Sequence, residues 1–166
     1  PVFARIYVQE SDRKRSTKEN LLTTVTVLQE FRPGIDFKDI TYTFLRDFEV
    51  HLKEKGNSVN TIAKHLRQLR TLVNEAINQG YIPSDAYPFR KYKIKQEKGR
   101  KEFLTPDELK RLENLDVDKK LRHVLDAFLF CCYTGLRYSD FCQLTPENII
   151  RVNGKRWLYF KSVKTD

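Results

Sequence analysis

The stretch Y-T-G-L-R-Y-S-D at residues 133–140 decides how the rest of the chain is interpreted. It follows an apolar run at residues 124–132 that predicts a buried helix, and Gly135 is a residue type that ends a helix without steric cost. Arg137 is therefore expected just beyond a packed helix end. A guanidinium held there presents a planar fork of N–H donors that suits a phosphate. The alternative is an arginine that only satisfies carbonyl groups at the helix end.

Length and composition indicate a globular protein that meets an anion. The 166 residues are enough for one ordinary domain or two small ones. Lys and Arg number 31 against 22 Asp and Glu, a formal net charge of +9, which favours nucleic acid as a partner without determining a fold. The chain opens on Pro1 and stops at Asp166, so we expect it to be part of a longer protein.

The remaining composition points to a cytoplasmic location. The three cysteines, Cys131, Cys132 and Cys142, make no C-x-x-C pair and are interpreted as buried thiols in a reducing compartment. No segment approaches the roughly 18 apolar residues of a membrane span, and no signal peptide is visible. We therefore expect no membrane partner.

The first half of the chain is predicted to be helical after a short extended arm at residues 2–8. Apolar residues at helical spacing, each run stopped by a glycine, predict three helices at residues 17–31, 41–55 and 58–79. Ser16 or Thr17 is expected to cap the first of these helices, with Glu19 completing a capping box. Ser58 is a suitable N-cap for the third.

The third predicted helix has one apolar and one polar face. Its buried stripe is Val59, Ile62, Leu66, Leu69, Val73 and Ala76. At 100° per residue, a second group points away from that stripe: Asn60, Lys64, Arg67, Gln68 and Thr71. These five residues are predicted to contact DNA, and the alternative is an ordinary solvated helix surface.

Residues 90–101 carry the most unequal charge in the sequence, with seven basic residues against one acid, Glu97. Such a segment is predicted to be a flexible linker whose cations neutralise phosphates and release their counterions. Lys91, Lys93 and Lys95 are the expected contacts. A plain interdomain linker in water is the alternative, and the two interpretations are compatible.

The second half of the sequence is predicted to be mixed. Residues 102–104 are a candidate short strand, and Thr105 followed by Pro106 and Glu108 predicts a capped helix start. Three helices are expected, at residues 105–115, 119–133 and 139–143. Asn153-Gly154 between two apolar runs predicts a β-hairpin, with strands at residues 149–152 and 156–161.

Several of these motifs together resemble a known family. T-G-L-R at 134–137, S-D at 139–140, L-T-P-E-N-I at 144–149 and K-S-V-K-T at 161–165 are similar to the first half of the catalytic domain of tyrosine recombinases. These are phage-integrase-like enzymes, and the resemblance extends to the variants of mobile elements such as conjugative transposons. The helices around S-V-N-T-I at 58–62 and G-Y-I at 80–82 resemble the core-binding domain of the same enzymes.

The resemblance implies a mainly α fold in two domains. Residues 1–89 would form a SAM-like helical bundle that binds DNA, and residues 90–101 would be the basic linker. Residues 102–166 would be the truncated start of an α+β catalytic domain, with its helices and β-hairpin.

The resemblance also implies the roles of particular residues. Arg137 would be the first of two arginines that bind the scissile phosphate, Lys164 the general acid, and Asp140 a supporting residue. Lys161 is a competing candidate for the general acid. Asp166 stands where the family often has glycine, which leaves the turn around Lys164 open. No metal or cofactor is implied.

The implied reaction is cutting and rejoining of double-stranded DNA through a 3′-phosphotyrosyl bond, carried out by a homo-tetramer. The family's second arginine in H-x-x-R, its further histidine or tryptophan and its nucleophilic tyrosine have no match in this sequence, and Tyr138 is not the nucleophile by motif. We therefore expect an inactive, monomeric fragment. A type IB topoisomerase-like enzyme and a non-catalytic sequence-specific DNA-binding protein are the alternatives, and a helical protein-interaction domain fits least.

Overall fold

A computed structural model describes residues 2–99 and 101–162. The chain divides into two compact units, unit 1 at Pro1–Gly99 and unit 2 at Arg100–Asp166. The regular elements that the structure describes in unit 1 are all helices, whereas unit 2 adds a two-stranded sheet to its helices. The predicted fold class, mainly α with a small β-hairpin in the second half, is confirmed.

Unit 1 contains four α-helices: α1 Val2–Glu10, α2 Arg15–Phe31, α3 Tyr42–Glu54 and α4 Val59–Asn78. Short 3₁₀ turns at Phe37–Asp39 and Ser84–Ala86 lie in the connections. Thr41 and Ser58 accept hydrogen bonds from the backbone of the first turns of α3 and α4, as N-caps do. The predicted cap at Ser58 and the helices that became α3 and α4 are therefore confirmed.

The core of unit 1 lies between α2, α3 and α4. Most of the predicted α4 stripe is buried, with Val59 only half-buried at its start. The principal cluster is formed by side chains of all three helices, of the connection between α2 and α3, and of the segment that follows α4: Leu28, Ile35, Phe44, Leu45, Phe48, Leu52, Ile62, Leu66, Leu69, Val73, Ala76, Ile82 and Phe89. Burial of this size is what holds short helices together in water.

The predicted extended arm is wrong, because residues 2–10 form α1. Ala4 and Val8, one helical turn apart, are buried against α2 and against Leu72 of α4. The capping box predicted at Ser16 or Thr17 is also wrong. Helix α2 begins at Arg15 after Lys14, without a side-chain cap, and Glu19 accepts from Arg15 at 2.8 Å instead.

Unit 2 contains α5 Pro106–Glu113, α6 Lys119–Thr134, α7 Tyr138–Phe141, a 3₁₀ turn at Pro146–Asn148, and strands β1 Ile149–Val152 and β2 Lys155–Leu158. The strands are antiparallel, with Val152 opposite Lys155 across the turn. Thr105 and Glu108 form the predicted capping box at α5. The hairpin is confirmed, but β2 ends at Leu158, before the predicted residue 161.

Three predictions for unit 2 fail. Residues 102–104 form no strand, and Phe103 is 84% exposed. Helix α6 was expected at the centre of a core, yet Leu129 is its one buried residue. Cys132 and Cys142 are likewise exposed, and Cys131 is half-buried, so the thiols are less enclosed than expected. The apolar side chains of α6 have too few partners among the described residues to be covered.

Candidate functional site: a phosphate-binding arginine and a basic helical face

Helix termini place Arg137 where the sequence predicted. Gly135 adopts the left-handed conformation, with φ of 70°, and its N–H donates to the Cys131 carbonyl at 2.9 Å, which ends α6. Two residues later Arg137 is the N-cap of α7, and its carbonyl accepts from the backbone N–H groups of Asp140 and Phe141 at 2.9 Å. The arginine backbone is thus fixed between two helices while the residue itself is exposed.

A serine links the arginine to the predicted supporting carboxylate. Arg137 Nη1 donates to Ser162 Oγ at 3.4 Å, and Ser162 Oγ donates to the Asp140 carboxylate at 3.3 and 3.4 Å. These hydrogen bonds are long for such donors and acceptors. Asp140 is 5% exposed. The three side chains form a connected polar site with an accessible guanidinium at its outer end.

The hairpin positions Ser162. The Tyr159 N–H donates to the Asn148 carbonyl at 2.8 Å, and Asn148 Nδ2 donates to the Tyr159 carbonyl at 3.0 Å. Asn148 thereby holds the chain just after β2, three residues before Ser162. Sequence reasoning gave neither residue a role, although both lie inside motifs that it quoted. Their partners lie eleven to twenty-five positions away in the sequence, and a local sequence pattern cannot predict such contacts.

Lys164 lies outside the described residues. Lys161, the competing candidate, is exposed and immediately precedes Ser162. The general acid therefore stays a prediction.

Tyr138 is next to the arginine but is poorly suited to nucleophilic attack. A hydrogen bond to Cys142, the nearby thiol groups and slight desolvation raise the pKa of its phenol above the ordinary value. Its ring stacks on Phe141, with the ring centroids 6.4 Å apart. A phenol with a raised pKa forms the reactive phenolate less readily.

The polar face predicted on α4 is divided by its neighbours. Asn60, Lys64 and Arg67 are exposed, whereas Gln68 and Thr71 are half-buried. Gln68 accepts a hydrogen bond from Thr24 of α2, and Thr71 donates to the Arg67 carbonyl at 3.1 Å. Gln68 points toward α2 rather than away from the bundle because α2 packs alongside that edge of α4.

Thr24 also contacts a buried histidine that sequence reasoning left without a role. Thr24 Oγ1 lies 2.8 Å from His65 Nδ1, and both residues are buried. With Thr24 donating to Gln68, its oxygen is left to accept from His65 Nδ1–H. Burial, followed by the charge of Lys64, lowers the pKa of His65 below the ordinary value of 6.5. This network is structural, because it faces α2.

The basic segment after α4 is less free than predicted. Tyr92 and Ile94 pack against the core of unit 1, while Lys91, Lys93 and Lys95 are exposed. The described part of this segment therefore belongs to unit 1 up to Gly99. Its lysines and the exposed cations of α4 lie on the same unit.

No group of His, Cys, Asp and Glu side chains suited to a metal ion occurs among residues 2–99 and 101–162. Across the same two ranges, no helix has the length and apolar character needed to cross a bilayer.

Comparisons with known proteins agree with this architecture. The family model of the phage integrase SAM-like domain matches residues 2–94. Tyrosine recombinase XerC of Bacillus licheniformis is 31% identical over 145 residues, which are 82% of this chain and 47% of that protein. Tyrosine recombinase XerC of Bacillus subtilis is 28% identical over 157 residues, which are 89% of this chain and 51% of that protein.

The chain thus spans about half the length of the curated relatives it matches. No solved structure matches it significantly. The SAM-like domain covers more than half of the chain and coincides with the helices of unit 1. The chain belongs to the tyrosine recombinase family and contains a phage integrase SAM-like domain in its N-terminal unit.

Proposed function

We propose that this chain is the DNA-binding and phosphate-binding half of a site-specific recombinase from a mobile element. The observation that carries the proposal is the exposed Arg137 guanidinium linked through Ser162 to buried Asp140. An arginine anchored in this way offers its remaining donors to the non-bridging oxygens of a phosphodiester. Family membership supports DNA as the substrate.

Arg137 would act on the charge that develops during phosphoryl transfer. A tyrosine oxygen attacks the phosphorus in line, forms a 3′-phosphotyrosyl bond and releases a 5′-hydroxyl. The guanidinium stabilises the added negative charge of the pentacoordinate state, as oxyanion-hole donors do. Asp140 and Ser162 orient the guanidinium and contribute no proton to the reaction.

The other steps belong to residues beyond the described part of the chain. We propose Lys164 as the general acid that protonates the leaving 5′-oxygen, with Lys161 as the competing candidate. The nucleophilic tyrosine and the second arginine would lie in the rest of a longer, cytoplasmic protein that works as a tetramer. Rejoining to a partner strand reverses the same chemistry: its 5′-hydroxyl attacks the phosphotyrosyl bond and releases the tyrosine.

Unit 1 would supply affinity for duplex DNA. Lys64, Lys91, Lys93 and Lys95 are exposed cations on one unit, and Asn60 and Arg67 hydrogen-bond to the segment after α4 at Glu97 and Gln96. Gln68 and Thr71 would contribute through the shape of the helix edge, since both are half-buried. Such contacts bind the DNA backbone and position the duplex without reading its sequence.

The test is Arg137→Ala in the full-length recombinase, with Arg122→Ala as the control. Arg122 is also in unit 2 but pairs with Asp126 at 2.8 Å on an exposed helix face. Losing Arg137 should lower covalent phosphotyrosyl complex formation on a nicked duplex by roughly 10²- to 10³-fold. Duplex affinity should change little, because one of many phosphate contacts is lost.

Two outcomes would contradict the assignment. Arg137→Ala could weaken duplex binding while the yield of covalent complex per bound protein stayed unchanged, which would make Arg137 a binding residue only. A full-length protein with no covalent complex in any variant would favour the non-catalytic DNA-binding alternative.

A further inference from the structure

Residues 91–97, called the strap below, lie along the surface of unit 1, and their side chains alternate between facing the core and facing solvent. Tyr92 and Ile94 pack against the core, whereas Lys91, Lys93 and Lys95 are exposed. This alternation has the period of two that an extended chain imposes. The strap therefore directs its aromatic and aliphatic side chains inward and its cations outward.

Glu49 of α3 holds one part of the strap. The Tyr92 hydroxyl donates to Glu49 Oε2 at 2.5 Å, and Lys53 Nζ lies 2.8 Å from Glu49 Oε1. The Glu49 side chain is only 15% exposed, and Lys95 Nζ lies 3.9 Å from Oε1. A carboxylate in such a position is retained at low cost only if its oxygens are satisfied, and two of its three partners belong to the strap.

The pKa values of Glu49 and Tyr92 agree with a charged carboxylate that accepts the hydrogen bond and a neutral hydroxyl that donates it. Burial acts to raise the pKa of Glu49, but the hydrogen bonds from Lys53 and Tyr92 outweigh it and hold the pKa below the ordinary value. Burial, then the hydrogen bond to Glu49 and its charge, raise the pKa of Tyr92. Tyr92 remains a hydrogen-bond donor at physiological pH.

Helix α4 holds the other end of the strap. Asn60 Nδ2 donates to the Glu97 carbonyl at 3.1 Å, and the Glu97 N–H donates to Asn60 Oδ1 at 3.2 Å. One amide side chain thus pairs with both backbone groups of a single residue, as a neighbouring strand would. Arg67 Nη2 also donates to Gln96 Oε1 at 2.6 Å.

We infer that the Glu49–Tyr92 hydrogen bond and the Asn60–Glu97 pair dock the strap so that Lys91, Lys93 and Lys95 form a preordered row of cations for the DNA backbone. Glu49, Tyr92 and Asn60 are then positioning residues rather than DNA contacts. This inference rests on the proposed function, since it assigns the strap to the same DNA-binding surface. A free linker would lose conformational freedom on binding, and a docked strap has already lost it.

A docked strap that presents cations to DNA and a strap that covers the α4 face predict opposite effects of strap release on duplex affinity. A strap that masked the α4 face would have to leave before DNA bound, so its release would raise duplex affinity. A strap that presents cations would bind DNA more weakly once released. The number of lysines stays the same in either state, so the salt dependence of binding should change little on release.

The experiment compares Tyr92→Phe with Tyr81→Phe in the whole 166-residue chain. Tyr92→Phe keeps the ring in the core and removes only the hydroxyl donor, and Tyr81 is a 62% exposed tyrosine of the same unit. Hydrogen exchange of the Glu97 amide, measured without DNA, reports docking. Binding to a mixed-sequence duplex several helical turns long, measured over a range of salt concentrations, reports its consequence.

Tyr92→Phe should speed exchange of the Glu97 amide and weaken duplex binding by about 3- to 10-fold, the range of one lost hydrogen bond. The log-log salt slope should be unchanged, and Tyr81→Phe should match the wild type. Unchanged or increased affinity in a variant with fast Glu97 exchange would overturn the inference. A wild type with an unprotected Glu97 amide would overturn it as well.

Failure of the proposed function has a different signature. Lys93→Gln removes one exposed cation and should reduce the salt slope by about 0.9. DNA binding by unit 1 is contradicted if the chain binds no duplex at low salt, or if Lys93→Gln leaves the log-log salt slope of binding unchanged. In that case, hydrogen exchange of the Glu97 amide still tests whether the strap is docked, because that measurement needs no DNA.

Discussion

At the scale of residues, the proposed phosphate site depends on polar contacts between distant parts of unit 2. Arg137 could be predicted from the sequence because Gly135 and the apolar run before it define a helix end locally. Ser162 could not, because its role comes from lying near Arg137 and Asp140, 25 and 22 residues away. The hydroxyl both accepts and donates there, which a serine can do and an alanine cannot.

Buried His65 makes the stability of unit 1 depend on pH. Its pKa is lowered in the folded state, so the unfolded chain binds a proton more readily at pH values between the folded pKa and the ordinary 6.5. Stability is therefore complete above about pH 6.5 and falls as the pH drops below it, by at most about 1.4 kcal/mol per pH unit for one proton.

Hydrogen exchange of the α4 amides between about pH 7.5 and pH 5.5, corrected for the intrinsic exchange rate, measures this dependence on pH. His65→Gln should flatten it, because the amide can still reach Thr24 but does not titrate. His123→Gln is the matched control, an exposed histidine of unit 2. An equally steep dependence in His65→Gln would assign the proton to another group.

At the scale of elements, helices with long apolar stripes were predictable and elements defined by their neighbours were not. Four apolar residues on one face specified α3 before any partner was known. Helix α1 buries Ala4 and Val8 fully and packs half-buried Phe3 and Tyr7 against the core, too few apolar residues to outweigh a weakly alternating pattern in a short segment. The packing of the strap could not be predicted for a related reason, because its lysines outnumber the two residues that contact the core, Tyr92 and Ile94.

The β-hairpin shows how local turn chemistry serves the site. Asn153 and Gly154 both have positive φ, 51° and 75°, as a two-residue type I′ turn requires. This turn sets the register in which Ile149 pairs with Leu158, and the chain continues from there to Ser162. A change at the turn is therefore expected to alter the position of Ser162 in the proposed phosphate site.

Asn153→Val should destabilise the hairpin by roughly 1–2 kcal/mol, because a β-branched residue tolerates positive φ poorly. Asn153→Gly is the control and should fold normally. Exchange of the Tyr159 amide, which donates to the Asn148 carbonyl, reports the pairing. Equal protection of that amide in both variants would show that the turn does not determine the register.

At the scale of the whole molecule, the two units differ in how much apolar surface they cover. Nineteen of the twenty buried apolar residues belong to unit 1, and Leu129 alone to the described part of unit 2. Val124 and Phe128 of α6 are exposed, although the apolar run at residues 124–132 predicted a buried helix, and Trp157 of β2 is exposed as well. Sequence periodicity identifies which face is apolar, but not whether the residues that cover it are within the same stretch of chain.

This difference predicts that unit 2 unfolds before unit 1. Trp157 is the single tryptophan of the sequence, so its fluorescence reports unit 2, whereas far-UV circular dichroism is dominated by the longer helices of unit 1. A stability deficit of about 1 kcal/mol lowers the midpoint of a small domain by roughly 4–8 °C, so the fluorescence transition should precede the dichroism transition by at least that interval.

The exposed apolar side chains should also bind a hydrophobic dye at temperatures below both transitions. Val124→Gln on the outer side of α6 should reduce dye binding, and Val50→Gln, on an exposed face of α3, should not. Coincident transitions with no dye binding would mean that the apolar faces of unit 2 are covered in solution.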